Sequence, residues 1–322
     1  MHARPHQRAM RRFFKSGLCA GAYTSVWTLD RESHHARCPT CGETATQARA
    51  CGCGWTPTPT PVLGAPMTVF TAEHRPADGK PLVAFMSALF AGGWIWDRPF
   101  AALAERGWPV LRTNEPICAL DSKVAGSIER LGDALMEACD AAGADRVVVC
   151  ANSLGGLVAI DLAGRHPDRI TAIAVSGAPG LTPDPDVGLN IDRRADVRPT
   201  GPQFRDRMLA ALFHGKPLFG EEQVEEVGKL LQTGPAMVAM ARSIRATRTY
   251  RVDPAMDKVG CPSLYLWGRH DRMTPIDPWE ELVPKHAGTE FVAIEDCGHI
   301  PMVEAAEEYN AHLLRFLDRV AG

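Results

Sequence analysis

The sequence predicts an α/β protein built on a doubly wound, mainly parallel sheet, and three observations lead there. Short apolar, mostly β-branched runs such as Val147–Cys150, Ile170–Ser176 and Ser263–Trp267 have the length and composition of strands buried on both faces. Stretches with helical spacing, Ser127–Ala142 and about Val303–Val320 among them, alternate with these runs, which is the order a parallel sheet with crossover helices requires. The residues best suited to chemistry, Ser153, Asp271 and His299, each follow the carboxyl end of such a run, where open α/β sheets place their sites.

Taken in order, residues 1–37 are basic and weakly patterned, with Arg11-Arg12-Phe13-Phe14-Lys15 ahead of a mildly apolar Ser16–Trp27. A basic N-terminal arm is expected; a twin-arginine export signal is the competing reading, against which Tyr23, Thr24 and Ser25 interrupt the apolar part. Residues 38–55 hold Cys38-Pro39-Thr40-Cys41-Gly42 and Cys51-Gly52-Cys53-Gly54, two tight knuckles with four of the 10 cysteines. One such pair supplies two of the four thiolates that tetrahedral zinc takes. The segment therefore resembles a zinc ribbon with a shortened second half, in which Cys38, Cys41, Cys51 and Cys53 ligate one structural zinc. A disulfide-bonded or merely cysteine-rich segment is the alternative. Cys118, Cys139, Cys150, Cys261 and Cys297 are scattered and read as buried free thiols, a usage that suits a reducing cytoplasm. The alternation Thr56-Pro57-Thr58-Pro59-Thr60-Pro61 marks a stiff linker over residues 56–65.

Residues 66–322 form the main body. It opens with strands at Met67–Thr71, Leu82–Phe85 and Pro109–Thr113, followed by the helix Ser127–Ala142 and the strand Val147–Cys150. A helical pattern begins directly after Ser153, and small residues flank the turn, Ala151 before the serine and Gly155 after it. A sharp strand-to-helix turn of this kind forces the serine side chain outward and aims the free N–H groups of the new helix at whatever it attacks. From about residue 181 to residue 253 the strand pattern stops. Pro183, Asp184, Pro185 and Asp186 break the chain, and helices are expected at Gln203–His214, Glu221–Gln232 and Pro235 to about Thr247. There Arg242, Arg245, Arg248 and Arg251 recur at every third position, either as an acceptor for a substrate carboxylate or as a solvated helix face. The strand Ser263–Trp267 then leads into Gly268-Arg269-His270-Asp271, and Glu290–Ile294 leads into Cys297-Gly298-His299.

With these residues in hand, the chain resembles the α/β-hydrolase superfamily over roughly Pro66 to Gly322. The motifs are the elbow ANSLGG, the acid loop GRHDRMTP, the histidine loop DCGHIPMVE and the aromatic GGWIWDRPF, in that family's order and spacing. The resemblance implies Ser153 as nucleophile, His299 as general base and acid, and Asp271 as the carboxylate that fixes the imidazole tautomer. It implies an oxyanion hole made by the N–H groups of Leu154 and Leu89, with Asn152 and Trp94 as substrate contacts. It also implies that residues 181–253 form a helical cap, and that catalysis needs no cofactor. The chain departs from the family in one loop, where Ser87-Ala88 stands in place of a His-Gly pair, so that a histidine that normally braces the loop is missing.

A net charge of −3 makes no electrostatic case for a nucleic-acid partner. No apolar run approaches the ~20 residues that a membrane span needs. With 45% hydrophobic residues in 322, the chain can bury a large core. Three functions fit. The leading one is a serine hydrolase that cleaves an ester, thioester or lactone of a small-molecule acyl substrate. The second is a carbon–carbon bond hydrolase, since the elbow and both loops look like those of hydrolases acting on aromatic ring-fission products; Ile300 in place of a usual Trp, and a glycine-poor oxyanion loop, stand against it. The third is a non-catalytic hydrolase-fold receptor or scaffold, which a complete triad opposes. The sequence leaves the oligomeric state open.

Overall fold

The computed structural model describes residues 35–37, 44–46, 69–71, 79–181, 202–215 and 221–321, and the chain divides into two compact units at Thr58–Pro59. In the first unit, β1 (His35–Arg37) and β2 (Thr44–Thr46) pair antiparallel, His35 opposite Thr46. Cys38, Cys41, Cys51 and Cys53 lie outside the described residues, as do residues 1–34 of the arm and the Thr-Pro linker.

The second unit is built on one seven-stranded sheet in the order β3-β5-β4-β6-β7-β8-β9. The strands are β3 (Val69–Thr71), β4 (Leu82–Met86), β5 (Val110–Thr113), β6 (Val147–Asn152), β7 (Ile170–Ser176), β8 (Ser263–Gly268) and β9 (Thr289–Ile294). Only β3 runs antiparallel, against β5; every other pairing is parallel. Strands β4, β5 and β6 are buried throughout, as strands covered by helices on both faces must be, and each apolar side chain so buried contributes about 1.5–3 kcal/mol. The sheet register aligns the carboxyl ends: Met86 pairs with Ala151, Asn152 with Ser176, and Gly268 with Ile294. Ser87, Ser153, Gly177, Arg269 and Glu295 thus leave the sheet along one rim, with Ser153 on its middle strand.

The crossover helices are α1 (Asp97–Glu105), α2 (Ile128–Ala141) and α3 (Leu154–Arg165). Ser127 caps α2 by accepting a hydrogen bond from the Arg130 N–H at 3.2 Å. Between β7 and β8 stand α4 (Pro202–Leu212), α5 (Glu221–Leu230) and α6 (Gly234–Thr249), within two residues of the expected spans at every end. Helix α6 is fastened to the body where Ser243 Oγ donates to the Ala125 carbonyl at 2.7 Å. Arg242, Arg245, Arg248 and Arg251 are all exposed, and Arg242 donates to Ser122 Oγ at 2.9 Å. No helix among the described residues is long and apolar enough to cross a membrane.

One difference from the sequence reading has a local cause. The single C-terminal helix expected over about Val303–Val320 is two, Pro301–Glu304 and α7 (Ala306–Ala321), separated at Ala305 with φ −123° and ψ 46°. The interruption points the Glu304 carboxylate back at the loop before it. The buried strand β5 includes a charge, Arg112, which is kept inside by bonds to the Gly93 carbonyl at 2.7 Å and to Asp97, the aspartate of the WDRPF motif.

Candidate active site

Ser153 sits at the turn from β6 into α3 with φ 55° and ψ −128°, a left-handed backbone that among the described non-glycine residues only Asp296 shares. Such a conformation costs roughly 1–2 kcal/mol and persists where the surroundings enforce it. Here they do. The Ser153 N–H is held by the Ser176 carbonyl at 2.8 Å, and a Cβ on Gly155 would lie 2.8 Å from the Ser87 carbonyl. Glycine at that position is what allows the first turn of α3 to approach the end of β4. The approach brings the Leu154 N–H beside the loop that follows β4.

That loop is firmly built. Ala88 donates to the Ala91 carbonyl at 2.9 Å, while the Ala88 and Leu89 carbonyls accept from Ile117 and Cys118 at 2.9 and 3.1 Å. The Ala88 N–H is therefore spent. The N–H groups of Leu89 and Leu154 have no partner among the described residues. The brace expected to be missing with the His-Gly pair is replaced: Ser87 N–H donates to Thr113 Oγ1 at 2.8 Å, and the two hydroxyls lie 2.7 Å apart. Trp96 Nε1 donates to the Met86 carbonyl at 3.1 Å, so this tryptophan is structural, while Trp94 on the same turn is half-buried against the core.

Asp271 and His299 form a buried pair, Oδ2 to Nδ1 at 2.8 Å, with side chains only 1% and 2% exposed. The acid is fixed from every side. Its Oδ1 accepts from the N–H groups of Met273 and Thr274 at 2.8 and 2.9 Å, and its Oδ2 accepts from Thr274 Oγ1 at 2.7 Å. A carboxylate that accepts several such bonds is held in one orientation. The imidazole is packed equally closely: a Cβ on Gly177 would lie 2.7 Å from His299 Cε1. Asn152 Nδ2 donates to the His299 carbonyl at 3.0 Å and to the Ser176 carbonyl at 3.2 Å. Asn152 is fully buried. Its Nδ2 thereby ties the histidine loop to the residue before Ser153, while its Oδ1 has no partner among the described residues.

The insertion reaches this site directly. The His299 N–H donates to the Leu212 carbonyl at 2.9 Å, and Glu304 accepts from the N–H groups of Gly298, His214 and Gly215 at 2.7, 3.0 and 2.7 Å. Thr274, Gly177 and Glu304 were not singled out from the sequence. Only Thr274 had a readable signal, standing three residues after an aspartate in a loop, where side-chain-to-backbone turns form. Competing nucleophiles are silenced by burial, which pushes the Cys118 and Cys139 thiols up to about 12. It also raises Cys297, with the Glu304 and Asp271 carboxylates adding to the effect.

The sequence pattern of the Alpha/beta hydrolase family matches residues 83–312. The chain is 27% identical over 255 residues to the 2-hydroxy-6-oxononadienedioate/2-hydroxy-6-oxononatrienedioate hydrolase of Klebsiella pneumoniae, covering 75% of this chain and 88% of that one. It is 25% identical over 242 residues to the 2-hydroxy-6-oxo-6-phenylhexa-2,4-dienoate hydrolase of Comamonas testosteroni, covering 70% and 83%. Among solved structures, the enol-lactonase from Burkholderia xenovorans superposes with a TM-score of 0.63 at 21% identity, over 78% of this chain and 97% of that one.

Proposed function

Because the chain belongs to the Alpha/beta hydrolase family, and is a hydrolase on that ground, we propose that Ser153 is its nucleophile, with His299 as base and Asp271 as orienting acid. The observation that supports this reading is the buried Asp271–His299 pair on the same sheet rim as a strained serine at a helix N-terminus. With Nδ1–H donated to Asp271, the other imidazole nitrogen is left to take the serine proton. The Leu89 and Leu154 N–H groups receive the oxyanion. A scaffold without activity would have no use for the strain at Ser153 or for the satisfied carboxylate.

Of the substrate classes, we favour carbon–carbon bond hydrolysis over the ester, thioester or lactone reading, since the two relatives given above are named as hydrolases of 2-hydroxy-6-oxo-dienoate-type compounds, in which the ketone offers such a bond. In such a reaction Ser153 Oγ attacks a ketone carbonyl. The dienol has first ketonised, its hydroxyl proton passing to the carbon next to the ketone; the bond to that carbon then breaks, its electron pair passing through the conjugated double bond to the other carbonyl, whose oxygen takes the proton back from His299. Water hydrolyses the acyl-serine, so the net change is addition of one water across the bond. The ester or lactone reading retains its own support in the buried Ile300 after the histidine and the glycine-poor Ser87-Ala88-Leu89 loop.

The test is a panel of p-nitrophenyl esters of rising chain length run beside a 2-hydroxy-6-oxo-dienoate. Turnover of the dienoate at least tenfold above the best ester is expected; ester turnover with an inert dienoate would reverse the order of the two readings. Helices α4 to α6 serve as the cap that excludes water and shapes the pocket, and Trp94 is read as a substrate contact. The same panel on a variant with residues 181–250 replaced by a short bridge should show altered chain-length selectivity, and unaltered selectivity would remove the lid role.

The N-terminal cysteines are read as holding one structural zinc, remote from catalysis because four thiolates leave no position open for water. Their spacing and their place on either side of β2 support this. Cys38→Ser is expected to release one equivalent of zinc with hydrolase turnover retained; a Cys38–Cys53 type disulfide in non-reduced mass spectra would exclude the metal. Free buried thiols in the main body support a reducing, cytoplasmic setting.

A further inference from the structure

The geometry points to a second metal site, unrelated to the cysteines, formed by His214, His270 and Asp296. Among the described residues this is the one group of His, Cys, Asp or Glu side chains gathered for an ion: one ligand atom from each lies within 4.8 Å of the others. The three come from three separate pieces of chain. His214 follows helix α4 of the insertion, His270 directly precedes Asp271, and Asp296 stands three residues before His299.

The backbone that carries them is already fixed. The His270 N–H donates to the Cys297 carbonyl at 2.9 Å, and Glu304 clamps the His214 and Gly298 N–H groups onto one carboxylate. Among the described residues Asp296 is the other non-glycine with a left-handed backbone, φ 49°, a conformation aspartate tolerates better than most residues. His214 Nδ1 is buried with no partner, and buried ring nitrogens are normally paired. A cation bound at this atom gives it the partner it lacks.

The donor set selects the ion. Two imidazoles and one carboxylate suit a borderline divalent cation such as zinc, whereas calcium and magnesium take mainly oxygen. Three protein ligands leave a coordination position for water. The two rings are stacked, with centroids 3.9 Å apart and planes 15° from parallel, so their lone pairs do not yet converge. Tetrahedral ligands about 2.0–2.1 Å from zinc lie roughly 3.3 Å from each other. The closing movement falls to His270 and Asp296, whose side chains are exposed, while His214 is half-buried and stays. An ion held there joins the end of helix α4 to the two loops that present Asp271 and His299. It acts as a clamp between the insertion and the site.

The experiment is equilibrium dialysis of the full chain against buffered free zinc, with the bound equivalents counted by elemental analysis in wild type and in His214→Ala, His270→Ala and Asp296→Asn. Each variant is expected to hold one equivalent less than wild type. His270 and Asp296 are exposed, so those two variants keep their fold, and zinc held by the N-terminal cysteines is common to all four proteins and cancels. Zinc should also raise the thermal midpoint of the wild type by several degrees more than that of any variant. Equal zinc content in all four proteins, or the same midpoint shift in wild type and His270→Ala, would overturn the site.

Discussion

Replacing Ser153 by Ala should lower kcat by about 10⁶-fold, the scale of loss when the serine of a triad is removed. It should also abolish covalent labelling by a fluorophosphonate. The size follows from what the residue does: without Oγ there is no acyl-enzyme, and about 8 kcal/mol of barrier lowering disappears while oxyanion donors and binding remain. The strained backbone makes a sharper version possible. Ser153 holds φ at 55°, which costs roughly 1–2 kcal/mol for a residue with a Cβ and little for glycine. Ser153→Gly should therefore be as inactive as Ser153→Ala yet more stable towards urea, by about 1 kcal/mol. A loss of activity caused by misfolding cannot yield greater stability. Persistent labelling at another serine in either variant would move the nucleophile elsewhere.

The sheet was legible because buried strands leave an unambiguous mark: Ile170–Ser176 matches its strand residue for residue, and Ser263–Trp267 falls short by one. The order Ser153, Asp271, His299 could be read for the same reason, each residue following the carboxyl end of a strand whose apolar run announces it. Contacts that join distant segments left no comparable trace. Nothing local in the sequence says that Glu304 accepts from Gly298, His214 and Gly215, since a helical glutamate of this kind is normally a solvated one. Gly177 reads as an ordinary turn glycine, and only the fold shows the His299 ring filling the place of its missing Cβ. The bonds of Asn152 were hidden for a related reason. Its place beside the serine suggests substrate, yet both of its amide bonds run to carbonyls reached through the fold, those of Ser176 and His299.

Asp271→Asn is expected to leave the fold intact and reduce kcat by about 10⁴-fold, the cost of holding a catalytic imidazole in the wrong tautomer. The surroundings of the carboxylate say which way the amide will sit. Oδ1 accepts two backbone N–H groups, from Met273 and Thr274, and an asparagine can meet both only by placing its carbonyl oxygen there. Its NH₂ then takes the place of Oδ2, facing His299 Nδ1 at the 2.8 Å now spanned by the acid. Two donors cannot share that contact, so Nδ1 must become an acceptor and the proton must move to the other ring nitrogen. That nitrogen is the one required to receive the serine proton. The hydroxyl of Thr274, 3.2 Å from Nδ1 and no longer needed by a carboxylate, can donate to the same ring atom and reinforces the wrong state. Thr274→Val in the otherwise native chain removes one bond to the acid and should cost only about tenfold. The check is kcat measured for both variants beside far-ultraviolet circular dichroism and urea midpoints. A loss below about tenfold in a folded Asp271→Asn enzyme would place the orienting acid at another residue.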